Sequence, residues 1–257
     1  MKVTKVIFSP TGGTRKVLDS IIKGLNISSD DITEIGLMNK KMEYTTIDVD
    51  PDSLVIIGMP SYSGRAPKTA MKRLSKLNGN GAKCVLVVSY GNREYEDTLI
   101  EMYDGAIQCG FVPIAAAAGI AEHSIDRTMA KGRPDINDEE VLISFGQKIL
   151  MNLESAECDM KLENVPGNRP YKDLSSGSNC PRPDEKCVKC GKCREYCPVG
   201  AIGEFLKGNP KKCISCMGCI HVCHKNARAL DDETLDRIHG FLQAACTTRK
   251  EPELFMG

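Results

Sequence analysis

The spacing of cysteines constrains this chain more than any other feature. Two runs of the form Cys-x2-Cys-x2-Cys-x3-Cys lie 26 residues apart, the first beginning at Cys187 and the second at Cys213. Eight thiols in this spacing are typical of proteins that hold two 4Fe-4S clusters, in which the fourth cysteine of each run ligates the cluster of the other run. The predicted ligand sets are therefore crossed: Cys187, Cys190, Cys193 and Cys223 for one cluster, and Cys213, Cys216, Cys219 and Cys197 for the other.

Structural zinc is the alternative for these thiols. Zinc sites normally use well-separated cysteine pairs, whereas each run here holds four cysteines, so the spacing favours iron–sulfur clusters. His224 stands where such a run often has proline, and we interpret it as a neighbour of a cluster and not as a ligand. We interpret the five remaining cysteines as ordinary buried or surface thiols: Cys84, Cys109, Cys158, Cys180 and Cys246.

The length of 257 residues predicts more than a cluster-binding module. A chain of this size usually contains two domains, so a larger domain is expected before the cysteine runs. We assign residues 1–153 to this domain, and residues 154–185, where proline and glycine accumulate, to a linker. Residues 186–230 form the predicted cluster domain. Residues 231–257 comprise a predicted helix with an acidic first turn, followed by a tail.

The first domain is predicted to alternate strands and helices. The expected strands span residues 3–8, 32–37, 53–59, 83–90 and 111–119. Runs such as residues 85–88 are apolar on both faces, as strands of a parallel sheet covered by helices must be. The pattern predicts an α/β fold with a doubly wound, five-stranded parallel sheet. In such a sheet ligands bind beyond the carboxyl ends of the strands, so the turns there are the candidate sites.

The turn after the first strand has the composition of a phosphate-binding loop. It supplies two glycines and three hydroxyls directly before a helix, whose N-terminus favours an anion. The loop matches neither GxxxxGKS/T nor GxGxxG, so a nucleoside triphosphate or a dinucleotide is disfavoured. A plain glycine-rich turn is the alternative interpretation. The candidate residues are Ser9, Pro10, Thr11, Gly12, Gly13 and Thr14.

This SPTGGT turn is similar to the Ser/Thr-x-Thr-Gly-x-Thr loop with which flavodoxins hold the phosphate of FMN. In that family the loops after the third and fourth strands close over the isoalloxazine ring, and residues 59–65 and 89–97 are their counterparts here. The resemblance implies FMN contacts from Pro60, Ser61, Tyr62, Ser63, Gly64, Tyr90, Gly91, Asn92, Tyr95 and Asp97. Tyr95 is the first candidate for stacking on the ring and Tyr62 the second, and exposed loop tyrosines are the alternative. Unlike many flavodoxins, the chain has no tryptophan.

Taken together, the chain resembles the flavodoxin–ferredoxin fusion proteins found mainly in anaerobes. The resemblance implies a flavodoxin-like α/β domain followed by a smaller, ferredoxin-like α+β domain with two clusters. It further implies an electron carrier that relays electrons between the clusters and FMN. A ferredoxin-fed, FMN-dependent reductase of a small molecule and a redox sensor are the alternatives. The carrier is favoured because the sequence shows no acid–base pair, nucleophile or nicotinamide fingerprint, and no catalytic residue is predicted.

Charge and hydropathy narrow the class of partner. The chain has 34 basic and 34 acidic residues, which disfavours nucleic acid and membrane surfaces as partners. No stretch reaches the roughly 18 apolar residues of a membrane helix, so a cytoplasmic protein is expected. Residues 180–230, however, contain ten Lys or Arg against four Asp or Glu. Redox proteins that donate or accept low-potential electrons are the expected partners, and a small-molecule acceptor and a homodimer remain open.

Overall fold

A computed structural model describes residues 1–155, 160–174 and 179–257. Cys158, one of the cysteines predicted to be an ordinary thiol, lies outside the described residues. The strands are β1 (Val3–Ile7), β2 (Ile32–Gly36), β3 (Ile47–Asp48), β4 (Leu54–Pro60), β5 (Leu77–Asn78), β6 (Lys83–Tyr90), β7 (Val112–Ile120), β8 (Arg182–Pro183), β9 (Arg228–Ala229) and β10 (Glu253–Met256). The α-helices are α1 (Gly13–Gly24), α2 (Lys68–Leu74), α3 (Thr98–Gln108), α4 (Ile136–Glu154), α5 (Lys192–Tyr196), α6 (Gly218–His221) and α7 (Asp232–Ala245).

The central sheet has the strand order β10-β7-β6-β4-β1-β2. Five of these strands, β7, β6, β4, β1 and β2, pair in parallel with their neighbours within this group. They are the five predicted strands, and their order along the sheet is that of the flavodoxin-like doubly wound fold. The prediction of an α/β fold with a five-stranded parallel sheet is therefore confirmed.

A sixth strand, β10, extends the sheet beyond this prediction. It pairs antiparallel with β7, with Glu253 opposite Ala118 and Met256 opposite Ala115. The sequence predicts no structure for this tail, because a four-residue strand is too short to show a periodic pattern. Its position covers the edge of β7, which would otherwise present unpaired backbone groups to solvent.

Both faces of the sheet are covered by helices. Along β6, Val85 packs into the apolar cluster beneath α1 and α4, whereas Leu86 packs into the cluster beneath α2 and α3. Helices α1 and α4 approach closely, since a Cβ on Gly24 would lie 2.0 Å from the carbonyl oxygen of Ile143. Two buried faces explain why the strands lack polar alternation. No helix among the described residues combines the length and the apolar character needed to cross a membrane.

The described part of the predicted linker packs on the sheet domain. The Leu162 N–H donates to the carbonyl of Pro113 at 2.8 Å, and the Tyr103 hydroxyl donates to the carbonyl of Leu162 at 2.8 Å. Leu162 and Val165 are both buried in the core cluster of the α2 and α3 face. This segment is therefore held by core contacts, while the domain boundaries themselves stay a prediction.

The cysteine-rich unit is small and contacts the sheet domain directly. It contains α5, α6 and the β8–β9 pair. The Tyr196 hydroxyl donates to the carbonyl of Pro10 at 3.0 Å. Arg73, which is fully buried, donates from Nη1 to the carbonyl of Leu37 at 2.7 Å and from Nη2 to the carbonyl of Pro198 at 2.6 Å. We refer to these contacts of Pro10, Arg73, Tyr196 and Pro198 as the junction.

Arg73 provides a test of the junction. Replacing Arg73 by Met should lower the free energy of unfolding by about 2–3 kcal/mol, because two buried carbonyl groups lose a donor. Urea unfolding of the anaerobic protein measures the change. Lys68→Met, at an exposed position of the same helix, is the matched control and should change the value by less than about 0.5 kcal/mol. Equal stability of the two variants would contradict a structural role for the Arg73 contacts.

Candidate functional site

The eight thiols of the two cysteine runs line two separate cavities. The first, which we name the inner cavity, is lined by Cys197, Cys213, Cys216 and Cys219. The second, which we name the outer cavity, is lined by Cys187, Cys190, Cys193 and Cys223. Each cavity thus takes three thiols from one run and the fourth from the other run, as the crossed ligand sets require.

Backbone geometry places the thiols around these cavities in a similar way in both runs. Helix α5 begins after Gly191 and α6 after Met217, and both residues adopt the left-handed conformation, with φ of 79° and 56°. The Ala201 N–H donates to the Cys197 sulfur at 3.3 Å, and the Ala227 N–H donates to the Cys223 sulfur at 3.3 Å. Such donors stabilise metal-bound thiolates. By this donor chemistry the residues present fit iron–sulfur clusters.

The thiols surround cavities and do not converge on one point. Within residues 1–155, 160–174 and 179–257, no group of three or more His, Cys, Asp or Glu side chains is arranged to hold a single metal ion. Cys180 also lines the inner cavity, as a fifth thiol. Burial, followed by the neighbouring Cys213 thiol, raises the pKa of Cys180 to about 11. The cysteine spacing does not predict this position, because Cys180 lies outside both cysteine runs.

The inner cavity lies against the sheet domain. Ile214, which lines this cavity, packs against the core cluster of the α2 and α3 face. A Cβ added to Gly218 would lie 3.2 Å from the Cβ of Pro10, so the backbone of α6 touches the predicted phosphate loop. Burial raises the pKa of Tyr62 well above its usual value, and the nearby Cys216 thiol raises it further. Cys216 is therefore a neighbour of a predicted flavin-binding tyrosine.

The predicted phosphate loop precedes helix α1, whose N-cap residue is Gly12 and whose first turn has no acidic residue. Gly12 has a φ of +86°, which favours glycine, and a Cβ on Gly13 would lie 2.9 Å from the Cβ of Ala121. The Ser9 hydroxyl accepts a hydrogen bond from the Arg15 N–H at 3.1 Å. The remaining first-turn N–H groups, together with the helix dipole, suit an anion. The chain thus provides the donors that a phosphate needs.

The three predicted flavin-binding loops meet at Ser89. The Ser89 hydroxyl is hydrogen bonded to the Thr14 hydroxyl at 2.7 Å, and the Ser89 carbonyl accepts from the Ser61 N–H at 2.8 Å. Ser63 and Gly64 form the adjacent turn with φ values of 53° and 81°. The structure therefore brings the predicted residues of the first loop together with those of the other two. Thr11 and Pro60 lie beside them, both partly exposed.

The C-terminal tail covers part of the loop at residues 89–97. The Asn92 side chain donates to the carbonyl of Thr248 at 2.8 Å and accepts from the Lys250 N–H at 3.0 Å. The Tyr95 hydroxyl donates to a carboxylate oxygen of Glu253 at 2.9 Å. The Tyr95 ring packs edge-on against Tyr90, with ring centroids 5.3 Å apart, and is only 5% exposed. Gly91 is also enclosed, because a Cβ there would lie 2.3 Å from the imidazole of His123.

These contacts distinguish the two candidate stacking residues. Tyr95 is almost fully buried beneath the C-terminal tail, whereas Tyr62 is half-buried and lies near the inner-cavity ligand Cys216. Stacking on a flavin by either tyrosine stays a prediction.

Asp97, predicted to contact the flavin, holds the segment after the first domain. Its carboxylate accepts from the Asn168 N–H at 2.8 Å and from the Lys172 N–H at 2.7 Å, and it is only 2% exposed. Burial alone would raise the pKa of Asp97, but these donors hold it below its usual value. Arg65 binds the same segment through the Lys172 carbonyl and lies 4.7 Å from the ring centroid of Tyr171. The sequence missed these anchoring contacts.

Comparisons with known proteins identify parts of the chain. Residues 183–203 match the family of the 4Fe-4S binding domain. A stretch of 48 residues is 46% identical to "Pyruvate synthase subunit PorD" of Methanocaldococcus jannaschii, and it covers 17% of this chain and 56% of that protein. The match therefore spans only about half the length of that relative.

Solved structures also resemble the chain. A flavodoxin from the domain Archaea is 15% identical, with a TM-score of 0.43, over 60% of this chain and 100% of its own. Rubredoxin oxygen:oxidoreductase from Desulfovibrio gigas is also 15% identical, with a TM-score of 0.42, over 60% of this chain and 36% of its own.

The chain combines two recognisable parts. The strand order is flavodoxin-like, and the match at residues 183–203 supports at least one 4Fe-4S cluster. These are the two parts that the sequence predicts. The chain therefore combines a 4Fe-4S binding segment with a flavodoxin-like α/β sheet.

The crossed ligand sets can be tested by combining variants. Cys197→Ala should remove the cluster of the inner cavity alone and lower the iron content from about eight to about four atoms per chain. Adding Cys216→Ala, in the same cavity, should remove no further iron. Adding Cys190→Ala instead should remove the rest, and iron analysis with low-temperature EPR measures both.

Cys246→Ala, in the C-terminal segment near Gly91, is the control and should leave the iron content unchanged. If Cys190→Ala adds nothing to Cys197→Ala while Cys216→Ala removes the remaining iron, each cysteine run binds its own cluster and the crossed assignment is wrong.

Proposed function

We propose that the protein relays electrons between two 4Fe-4S clusters, one in each cavity, and FMN bound at the carboxyl edge of the sheet. The contacts of the junction support the proposal. Tyr196 directly precedes the inner-cavity ligand Cys197, and its hydroxyl donates to the carbonyl of Pro10 in the predicted phosphate loop. The inner cavity therefore lies next to the loops that we assign to FMN, within one chain.

In this proposal the thiols and the backbone hold the clusters. Four cysteines line each cavity, and N–H groups of Ala201, Ala227 and Ser215 donate to the sulfurs of Cys197, Cys223 and Cys213. When bound, the clusters would supply one-electron transfer and FMN would accept or release one or two electrons. The protein contributes the positions of the sites and the charges around them.

The sheet domain holds the flavin through its loops. The first turn of α1 binds the phosphate with backbone N–H groups, and the left-handed Gly12 shapes the turn that presents them. The loops that meet at Ser89 bind the ring, and Tyr62 lies near the inner-cavity ligand Cys216.

The outer cavity faces a partner protein in this proposal. Its ligand Cys190 is exposed, and the neighbouring Val188 is 56% exposed. Lys186, Lys189 and Lys192 surround it with exposed positive charge. Complementary charge steers association between redox proteins, so a partner with an acidic face is expected here. Electrons would then pass between the partner and the flavin through the outer cavity first and the inner cavity second, or in the reverse direction.

Cofactor analysis tests the proposal directly. Protein purified without oxygen should contain about eight irons, eight sulfides and one FMN per chain. A panel of quinones, nitro compounds and nicotinamide nucleotides should be reduced only slowly and without saturation. Zinc in place of iron, or a preparation that binds no FMN, would contradict the proposal. Rapid, saturable reduction of one compound would instead identify a flavin-dependent reductase.

Gly12 offers a matched pair of variants for the phosphate loop. A Cβ at Gly12 meets nothing within 4 Å, and Asp and Asn both tolerate its left-handed backbone. Gly12→Asp places a negative charge at the phosphate site, whereas Gly12→Asn adds a side chain of the same shape without charge. The Asp variant should bind FMN at least tenfold more weakly than the Asn variant, as measured by fluorescence titration of the flavin-free protein. If both variants bind FMN equally well and keep their iron, the phosphate binds elsewhere in the protein.

A further inference from the structure

Arg228 lies between the two cavities. It lines both of them and is only 3% exposed. Its Nη1 group donates to the carbonyl of Leu206 at 2.9 Å and lies 3.6 Å from the Cys193 sulfur, a ligand of the outer cavity. Its guanidinium also contacts the Cys219 thiol of the inner cavity. One side chain therefore touches a predicted ligand of each cluster.

The hydrogen bonding of Arg228 is incomplete in the polypeptide. Its Nη2 group donates to the carbonyl of Pro181 at 2.8 Å, but its buried Nε–H has no hydrogen-bond partner among the described residues. Its partners are carbonyls and thiols, none of which carries a full negative charge while the thiols are protonated. A buried cation without a counter-charge is unfavourable. The site thus lacks an anion and an acceptor, and both would be supplied by thiolate-ligated clusters.

The two cysteine runs form an internal repeat, and they differ at the position of Arg228. Arg228 follows Cys223 by five positions, and the residue that follows Cys197 by five positions is Ile202. Ile202 is also buried, in the small apolar cluster of the cysteine-rich unit. The chain therefore has an apolar side chain at one of two equivalent positions and a guanidinium at the other. Packing alone does not require this difference, since Ile fills the equivalent place.

We propose that Arg228 is a positioning residue shared by the two clusters, whose charge raises the reduction potential of both. This inference rests on the proposed cluster-binding function. Reduction adds negative charge to a cluster, so a nearby cation stabilises the reduced form relative to the oxidised form. Because the guanidinium touches a ligand of each set, its removal should lower both potentials and not one alone.

Arg228→Gln removes the charge and keeps a polar side chain. Arg182→Gln, on the neighbouring strand β8, is the control, because Arg182 is exposed and lines neither cavity. Redox titration followed by EPR should show the equilibrium of both clusters shifted at least tenfold toward the oxidised form in Arg228→Gln, which is about 59 mV for one electron. The control should shift less than twofold. A full iron content in Arg228→Gln with potentials equal to those of the control would overturn the proposal.

A second measurement uses the unaltered chain and does not depend on the folding of Arg228→Gln. Protein labelled with ¹⁵N in the arginine guanidinium groups should show ¹⁵N coupling to the reduced clusters in pulsed EPR. Arg228→Lys, which keeps the charge, should retain its iron and lose this coupling. Absence of coupling in the labelled protein with native sequence would overturn the proposal. An iron content of about four would contradict the proposed two-cluster function, whereas about eight irons without ¹⁵N coupling would contradict the role of Arg228 alone.

Discussion

The contact between the cysteine-rich unit and the phosphate loop determines what the rest of the molecule can do. Arg73 is fully buried and donates to the carbonyl of Leu37 in the sheet domain and to that of Pro198 in the cysteine-rich unit. Separating the two units would break the bond to Pro198 and leave that buried carbonyl without its donor, which is costly. Tyr196 adds a second bond, to Pro10. The proposed electron path within one chain follows from this packing.

The cysteine-rich unit depends on a similar mutual constraint. Because each cavity takes thiols from both cysteine runs, neither run can form a cavity alone. Arg228 reinforces this dependence, since it reaches both cavities and also binds the carbonyls of Pro181 and Leu206. The segment before the first run, the loop between the runs and the strand after the second are thereby linked through one side chain. Stability and redox tuning are expected to depend on the same residue.

The sequence predicts the features that carry a local or periodic signal. The five parallel strands have apolar runs, and the crossed thiols follow from fixed spacings, so both could be derived before the structure. Arg73, Arg228 and β10 could not, because their partners are carbonyls and strands far away in the chain, and a lone arginine shows no pattern. The position of Tyr95 likewise depends on Glu253 in the tail, which loop composition cannot reveal. For Arg228, the one signal in the sequence is that Ile202 occupies the equivalent position after the other cysteine run.

The central claim is that electrons pass between the clusters and the flavin of the same chain. Photoreduction of the clusters in the anaerobic protein, followed by the absorbance of the flavin, measures this transfer directly. Transfer within one chain should give first-order flavin reduction, with a rate constant that stays the same when the protein is diluted. A rate that falls in proportion to protein concentration, or a flavin that stays oxidised while the clusters remain reduced, would contradict it.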